Sequence, residues 1–333
     1  MKKIFRIVGV VVGVIAALVL GFYVYVQLTY ERDYASVPLP NITASKDPEV
    51  IARGAYVTHA IAHCSACHGN GESTNAKELP KNIDDLRGGY VLKAGPFGTY
   101  YPVNLTPDDS GIGKLSDPQL ARAIRHGVSA DGRFAPLMAI AVGPIGDEDL
   151  VAVISYLRSL PPIKNAPPKD EWGFVAKALS SKFTPRMTAA PTFVKEGAAS
   201  KERGEYLAMG PALCAGCHSP RDPMAGFTLR GPALSGAGKP DPDPTNPQYE
   251  IIAPNLTPDP ETGALSGYST PTQFVDRFRK VGRSTKGSPM PWENFQRMTD
   301  ADLESLFLYL KSIPPVRHKT GPSIRMKGSF KPE

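Results

Sequence analysis

Several common features are missing from this chain of 333 residues, and each absence narrows its function. No segment shows sustained alternation of polar and apolar residues, so extended β-sheets are not predicted. No dense stripe of lysine and arginine with interleaved aromatic residues occurs, which argues against nucleic-acid binding. The formal net charge of +6 is mild, and it suits an acidic partner surface or anionic lipid head groups.

Cysteine is scarce as well. The chain has only four cysteines, and all of them lie in two C-x-x-C-H motifs at 64–68 and 214–218. No cysteine therefore remains for a disulfide framework elsewhere in the chain.

The two motifs belong to an internal duplication. The segment "RGAYVTHAIAHCSACH" at 53–68 matches "RGEYLAMGPALCAGCH" at 203–218. "NLTPD" then occurs once in each half, and "YLRSLPP" and "YLKSIPP" end the two copies in the same order. We predict two homologous helical domains at 46–163 and 197–317, an anchor at 1–30, a linker at 164–196 and a tail at 318–333.

Each motif has the residues that covalent haem attachment requires. Two thiols one helical turn apart can add across the porphyrin vinyl groups, and the adjacent imidazole can reach the iron from the same side. A zinc site, a disulfide and a redox-active C-x-x-C are the alternatives. A zinc site does not suit the large separation of the two motifs, and a disulfide leaves the matched histidines unexplained. The pattern therefore favours two haems. The expected attachment and ligand residues are Cys64, Cys67, His68, Cys214, Cys217 and His218.

A methionine follows each motif at a similar distance. Met138 lies 70 residues after His68, and Met290 lies 72 residues after His218, and each is expected in a proline-bearing loop before the last helix of its unit. A lone methionine is usually core filler. The matching registers instead favour thioether ligands, which would close each iron and raise its reduction potential.

The other methionines and histidines considered as ligands have no counterpart in the other unit. Met209 and Met298 are therefore less suitable ligands. The remaining histidines are expected to be surface or structural residues, with His59 or His63 as a distal ligand the alternative; they are His59, His63, His126 and His318.

Two further hydrogen-bonding roles near the haem are also predicted. Asn104 and Asn255 of the "NLTPD" segments stabilise a turn or, alternatively, hydrogen-bond a haem propionate. The first axial imidazole is expected to donate its far N–H to a backbone carbonyl, for which Pro80 is the candidate.

Helix signals support short helices in both units. Asp47 and Asp117 are predicted N-caps, Thr270 and Gln273 form a capping box, and Gly127 ends a helix. The apolar faces expected in the core are Leu150, Val153, Ile154 and Leu157 in one helix and Leu303, Leu306 and Leu310 in another.

The N-terminus predicts a membrane segment. Lys2, Lys3 and Arg6 are followed by 20 uncharged residues at 7–26. That length spans a hydrocarbon layer of about 30 Å. No A-x-A cleavage site follows, so we expect a retained anchor, with a removed signal peptide as the alternative. The positive-inside rule then places the remainder outside, which for a bacterial chain is the periplasmic side of the inner membrane.

The combined pattern RGxY, CxxCH, NLTPD, M, DxDL and YLxSxPP resembles the cytochrome c subunits of membrane-bound alcohol, aldehyde and gluconate dehydrogenases and related membrane-anchored dihaem cytochromes c. The resemblance covers both repeat units and implies two tandem class I cytochrome c domains, all-α, with His68/Met138 and His218/Met290 as axial pairs. Those dehydrogenase subunits usually carry three haems, whereas this chain has two motifs. The family's Met-Pro pair is present at Met290 and absent at Met138.

This interpretation makes the chain an electron carrier and not an enzyme. Electrons would enter from a dehydrogenase or quinol-linked complex and leave to a terminal oxidase or soluble cytochrome. Membrane contact is expected, and nucleic acid is not. The alternative is a dihaem cytochrome c peroxidase, which needs one iron with an open or displaceable sixth position.

Overall fold

The computed structural model describes residues 2–69, 85–185, 189–243, 245–285 and 287–329, and this part of the chain is largely helical. Two π-helical turns, at Val57–Ile61 and Arg277–Val281, extend two of the helices. The α-helices of the described residues are α1 (Lys2–Thr29), α2 (Pro48–Tyr56), α3 (Ser65–His68), α4 (Asp117–His126), α5 (Pro136–Ala141), α6 (Asp147–Ser159), α7 (Phe174–Ala178), α8 (Lys201–Met209), α9 (Cys214–Cys217), α10 (Pro271–Asp276), α11 (Trp292–Phe295) and α12 (Asp300–Ser312).

The described residues also form short strands: β1 (Leu92–Lys93), β2 (Gly98–Tyr100), β3 (Glu171–Trp172), β4 (Arg221–Asp222), β5 (Thr228–Leu229), β6 (Asp241–Pro242), β7 (Tyr249–Ile251) and β8 (Ile324–Met326). They pair in three small antiparallel sheets, with the orders β1–β2–β3, β4–β5 and β6–β7–β8. A purely all-α description is therefore incomplete. Strands of two or three residues are too short to produce the alternation by which a strand is recognised in a sequence.

Most predicted helix ends are confirmed. Asp47 caps α2 by accepting a hydrogen bond from the backbone N–H of Glu49, and Thr270 and Gln273 form the capping box of α10. Gly127 ends α4 in the left-handed conformation. These signals were predictable because each depends on residues that are close neighbours in the chain.

The predicted cap of α4 is wrong by one residue. Ser116 is the N-cap and forms a capping box with Gln119, whereas Asp117 is the first helical residue. The carboxylate of Asp117 instead accepts hydrogen bonds from the backbone N–H of Ala44 at 2.8 Å and from Arg158 Nε at 2.9 Å. Two distant partners therefore take the side chain away from the helix terminus.

The core is built on two equivalent helix pairs, α2 against α6 and α8 against α12. A glycine in the first helix of each pair permits a very close approach. A Cβ atom at Gly54 would lie 1.9 Å from the carbonyl oxygen of Ala152, and one at Gly204 would lie 1.9 Å from that of Ser305. The predicted apolar faces are buried as expected: Leu150, Val153, Ile154, Leu157, Leu303, Leu306 and Leu310.

Helix α1 is long and apolar enough to cross a membrane, and its side chains are exposed except near its C-terminal end. The chain that follows is attached to the N-terminal unit. The buried guanidinium of Arg122 donates to the carbonyl oxygens of Ala35 and Val37, at 2.9 and 3.3 Å. The backbone N–H of Tyr34 also donates to the carbonyl of Gly132 at 2.8 Å. Helix α1 is therefore joined to the folded part by an ordered segment.

Candidate haem-attachment sites

The four cysteines are unpaired, and each motif presents one partly buried and one exposed thiol. Cys64 and Cys214 are the inner thiols, and Cys67 and Cys217 are the outer ones. Burial raises the pKa of Cys64 and of Cys214 to about 12. The inner sulfurs are therefore protonated thiols at neutral pH when no group is bound to them.

Both motifs begin at the same backbone turn despite a difference in sequence. His63 has a φ of 39° and Leu213 has a φ of 58°, so each adopts the left-handed conformation that non-glycine residues rarely take. One helical turn follows, in which the N–H of each motif histidine donates to the carbonyl of the first cysteine at 2.8 Å. This turn places the two thiols and the imidazole as a unit.

Each motif imidazole is buried and oriented by a backbone carbonyl. His68 Nδ1 lies 2.8 Å from the carbonyl oxygen of Val103, and His218 Nδ1 lies 2.9 Å from that of Pro254. A carbonyl can only accept, so Nδ1 carries the proton and Nε2 keeps its lone pair for a metal. Burial lowers the pKa of both imidazoles, which favours this neutral form. The predicted acceptor, Pro80, lies outside the described residues, and the acceptor in the structure is Val103.

A glycine also holds each motif histidine through its backbone. Gly88 N–H donates to the carbonyl of His68, and Gly236 N–H donates to that of His218, both at 2.8 Å. The two glycines have φ values of +74° and +97°, and a Cβ atom on Gly88 would lie 2.8 Å from the carbonyl oxygen of Pro102. This pair of glycines was not predicted from the sequence. Its signal was a glycine upstream of each "NLTPD" segment.

The two candidate methionines lie in different local structures. The predicted loop is confirmed for Met290, which precedes α11, and is wrong for Met138, which lies in α5 because Pro136 begins a short helix there. Both side chains are half-buried and pack against the hydrophobic core. Met298 is fully inside this core at 1% exposure, whereas Met209 is 39% exposed. Ligation by Met138 and Met290 stays a prediction.

The comparison with known proteins agrees with this geometry. The chain is 30% identical over 304 residues to the cytochrome c subunit of a quinone-dependent alcohol dehydrogenase from Gluconacetobacter polyoxogenes, covering 84% of this chain and 59% of that subunit. It is 29% identical to the fructose dehydrogenase cytochrome subunit of Gluconobacter japonicus, over 86% of this chain and 56% of the relative. It is a homologue of these cytochrome c subunits. The resemblance seen in the sequence is confirmed.

One relative has a length closer to that of this cytochrome homologue. A diheme cytochrome c-type protein of Cereibacter sphaeroides is 28% identical over 81% of this chain and 90% of its own length. The alcohol dehydrogenase subunit is longer, and this chain spans 59% of it. No protein-family model matches the chain.

In this cytochrome homologue the two "NLTPD" asparagines are structural. Asn104 and Asn255 are completely buried. The side-chain oxygen of each accepts two hydrogen bonds from the threonine two residues later, and the amide nitrogen donates to the carbonyl of Ile163 at 2.7 Å or of Val316 at 2.8 Å. The turn interpretation is confirmed. Each asparagine connects the loop that orients the imidazole to the chain leaving the last helix of its unit.

Three of the other histidines have structural hydrogen bonds, as predicted. His59 Nε2 lies 2.8 Å from the hydroxyl of Tyr156, and His63 Nδ1 lies 3.0 Å from the carbonyl of Ile61. His318 Nδ1 lies 2.7 Å from a carbonyl oxygen in the C-terminal unit. His126 is buried in α4.

The RGxY and DxDL patterns form an ion pair inside each unit. In the N-terminal unit Arg53 Nε donates to a carboxylate oxygen of Asp149 at 2.9 Å, and Arg53 Nη2 lies 2.8 Å from the same oxygen as an ion pair. In the C-terminal unit Arg203 donates to both carboxylate oxygens of Asp302, at 2.7 and 3.0 Å, and both side chains are buried. Each pair connects the helix that leads into a C-x-x-C-H motif with the last helix of the same unit.

The tyrosines of the two RGxY patterns cross between the units. The hydroxyl of Tyr56 donates to the carboxylate of Asp302, and the hydroxyl of Tyr206 donates to that of Asp149, both at 2.7 Å. Burial and the adjacent carboxylate raise the pKa of both tyrosines, so the hydroxyls stay protonated donors at neutral pH. The two hydrogen bonds are reciprocal, and they fix the two units against each other.

Proposed function

We propose that the chain is a membrane-anchored dihaem c-type cytochrome that relays electrons and has no catalytic site of its own. The observation that carries this proposal is the repeated arrangement of a buried, carbonyl-oriented imidazole beside two unpaired thiols. Homology to cytochrome c subunits supports covalent haem c as the group that these residues hold. The homologues also support a role as an electron-transfer component of a dehydrogenase system.

The residues have distinct roles at each centre. The two thiols of a motif would hold the haem, and the motif histidine would offer Nε2 to its iron because Nδ1 is held by a carbonyl. Met138 and Met290 would supply a thioether ligand in their respective units. The haem, when bound, provides a one-electron couple, and the protein sets its potential through the thioether ligand and burial.

The repeat units 46–163 and 197–317 are two class I cytochrome c domains in this proposal. Each contains its own helix pair, its own motif and its own methionine segment. The linker 164–196 connects them, and the reciprocal tyrosine–aspartate hydrogen bonds hold them in a fixed relation. A fixed relation suits transfer of an electron from one centre to the other inside the same chain.

Helix α1 anchors the protein in the bacterial inner membrane, and the haem units face the periplasm. The basic residues before the apolar stretch support this orientation. Electrons enter from a dehydrogenase or a quinol-linked complex and leave to a terminal oxidase or a soluble cytochrome. The homologues are cytochrome subunits of alcohol, fructose and gluconate dehydrogenases, which supports a dehydrogenase as donor.

Carbon monoxide and hydrogen peroxide test the proposal on the purified, haem-loaded chain. Irons closed by sulfur bind no carbon monoxide when reduced and turn over no peroxide, and redox titration gives two one-electron steps. A ferrous haem that binds carbon monoxide, together with peroxide turnover, would instead identify the chain as a dihaem peroxidase. Intact mass with fewer than two added haems would refute the dihaem assignment.

A further inference from the structure

Aromatic side chains from three separate segments meet where α1 leaves its apolar stretch. Phe174 of α7 stacks on Tyr23 of α1 with ring centroids 5.6 Å apart and meets Phe22 edge-on at 6.2 Å. The ring of Trp172 lies 6.3 Å from that of Tyr30, just beyond α1. Aromatic rings of this kind are enriched at the boundary between lipid head groups and acyl chains.

The third segment is the β1–β2 hairpin of the N-terminal unit. Its Tyr100 ring lies 6.3 Å from Trp172, and β2 pairs with β3. Gly173 N–H donates to the carbonyl of Phe97 at 2.9 Å, and a Cβ atom on Gly98 would lie 2.1 Å from the carbonyl oxygen of Glu171. The hairpin and the linker are therefore closely joined, and we call residues 92–100 and 171–178 together the platform.

The depth of the platform follows from its contacts with α1. Phe22 and Tyr23 lie inside the uncharged stretch 7–26. At 1.5 Å per residue, Phe22 is about 6 Å below the end of this stretch. Interfacial helices bury their apolar faces to a similar depth, about 5–10 Å into the boundary between head groups and acyl chains.

The platform has the polarity that such a position requires. Phe174 is 40% exposed beside the exposed rings of Phe22 and Tyr23, so an apolar surface continues from α1 onto α7. Lys177 extends in the other direction: its Nζ atom donates to Gln27 at 2.9 Å and lies 4.4 Å from the centre of the Tyr30 ring. A lysine that reaches past an aromatic belt toward water is the usual arrangement at a membrane surface.

We propose that the platform inserts Phe174 into the boundary between head groups and acyl chains, in the outer leaflet of the bilayer that holds α1, and so holds the N-terminal unit against the membrane. This inference rests on the proposed retention of α1 as an anchor. The occupant is the lipid bilayer itself. Asp170 and Glu171 are close in the chain to Lys169 and Lys177, so this segment has no excess of positive charge. Insertion therefore depends on the apolar surface and needs no anionic lipid.

Photolabelling by lipid tests the proposal. The full-length, haem-loaded chain is reconstituted in phosphatidylcholine vesicles that contain a phospholipid with a diazirine near the glycerol end of its acyl chain. After irradiation, labelled peptides are mapped by mass spectrometry. We expect the Phe174 peptide to carry roughly tenfold more label than the Leu229 peptide, because only Phe174 reaches the acyl boundary. Leu229 is a suitable reference because it is 45% exposed in the other unit.

Matched variants complete the test. Phe174→Asp should remove the label from the linker while leaving the label in α1 and the visible haem spectrum unchanged, and Leu229→Asp should change none of these. Label in α1 but equal, low label at Phe174 and Leu229 would overturn the platform and leave the anchor intact. Absence of label from α1 as well would refute both the membrane anchor and the platform. The visible haem spectrum tests the proposed electron-carrier function independently of the lipid labelling.

Discussion

In the N-terminal unit the candidate methionine lies in a helix, whereas in the C-terminal unit it lies in a loop between two prolines. Arg283 fixes that loop: its Nη2 atom donates to the carbonyl of Met290 at 3.1 Å and pairs with Glu293 at 2.8 Å. Met138 instead lies in α5, which packs on α4. The imidazole sides, in contrast, have nearly equal hydrogen bonds of 2.8 and 2.9 Å.

This comparison separates what the two centres share from what differs. The shared side contains the thiols, the imidazole, the carbonyl acceptor and the glycine that binds the histidine backbone. The differing side contains the methionine and the contacts that hold it, which are the Arg283–Glu293 pair at Met290 and the packing of α5 on α4 at Met138. Since the axial ligand and its surroundings tune a haem potential, we expect two unequal potentials in one chain.

Loss of an imidazole should have the largest effect. His68→Ala and His218→Ala remove the two proposed imidazole ligands, which have equivalent surroundings, so each variant should lose the low-spin signal of one haem and retain the other. Electron paramagnetic resonance of the oxidised protein measures this outcome. Leu229→Ala is the control, because this exposed side chain of β5 lies outside both motifs. Unequal or overlapping losses would show that the imidazole sides are not equivalent.

The helix-pair glycines should be equally sensitive in both units. Gly54→Ala and Gly204→Ala place a Cβ atom 1.9 Å from a carbonyl oxygen, and separation of the packed helices should cost about 3 kcal/mol or more of unfolding free energy. Denaturant unfolding measures the loss. Gly267→Ala is the matched control, since nothing lies within 4 Å of the added atom. A cost below that of the control in either unit would contradict the close packing.

The reciprocal tyrosines should come next in size. Tyr56→Phe and Tyr206→Phe each remove one hydrogen bond to a buried carboxylate and one accepted from a backbone N–H, that of Thr299 or Gly146, at about 1–3 kcal/mol in total. Both variants should weaken the contact between the units by similar amounts in denaturant unfolding. Tyr268→Phe, whose ring packs inside the C-terminal unit, provides the comparison. If only one of the two substitutions has an effect, the interface is not reciprocal in energy.

Weakening the ion pair that holds the Met290 loop should give the smallest effect, and the effect should be confined to the C-terminal unit. Glu293→Gln removes the charge that Arg283 pairs with, and a half-buried pair of this kind contributes about 0.5–1 kcal/mol. Only the C-terminal haem should respond, by a small shift of its potential in a redox titration. An equal shift of both haems would show that the loop does not act on one centre.

The sequence predicted local features well. The helix faces, the capping box at Thr270 and the end of α4 at Gly127 depend on neighbouring residues, and all are confirmed. The cap at Asp117 failed because its carboxylate binds Ala44 and Arg158, which are far away in the chain.

The environment of the site was harder to predict than its residues. The motif histidines were evident from spacing, but the carbonyl acceptor Val103 was not, because a backbone oxygen carries no residue-specific signal. The crossing of Tyr56 to Asp302 was missed for a different reason. Both residues stood in duplicated patterns, yet nothing in a single sequence indicates that a tyrosine bonds to the other copy.

A spectroscopic redox titration of the wild type beside Met138→Ala and Met290→Ala tests the central claim most directly. Each substitution should open one iron, convert it to high spin and lower the potential of that haem alone, because a thioether ligand raises the potential. Met209→Ala, a change at an exposed methionine, should leave both haems unaltered. Unchanged spectra and potentials in both ligand variants would contradict the assignment of sulfur opposite imidazole.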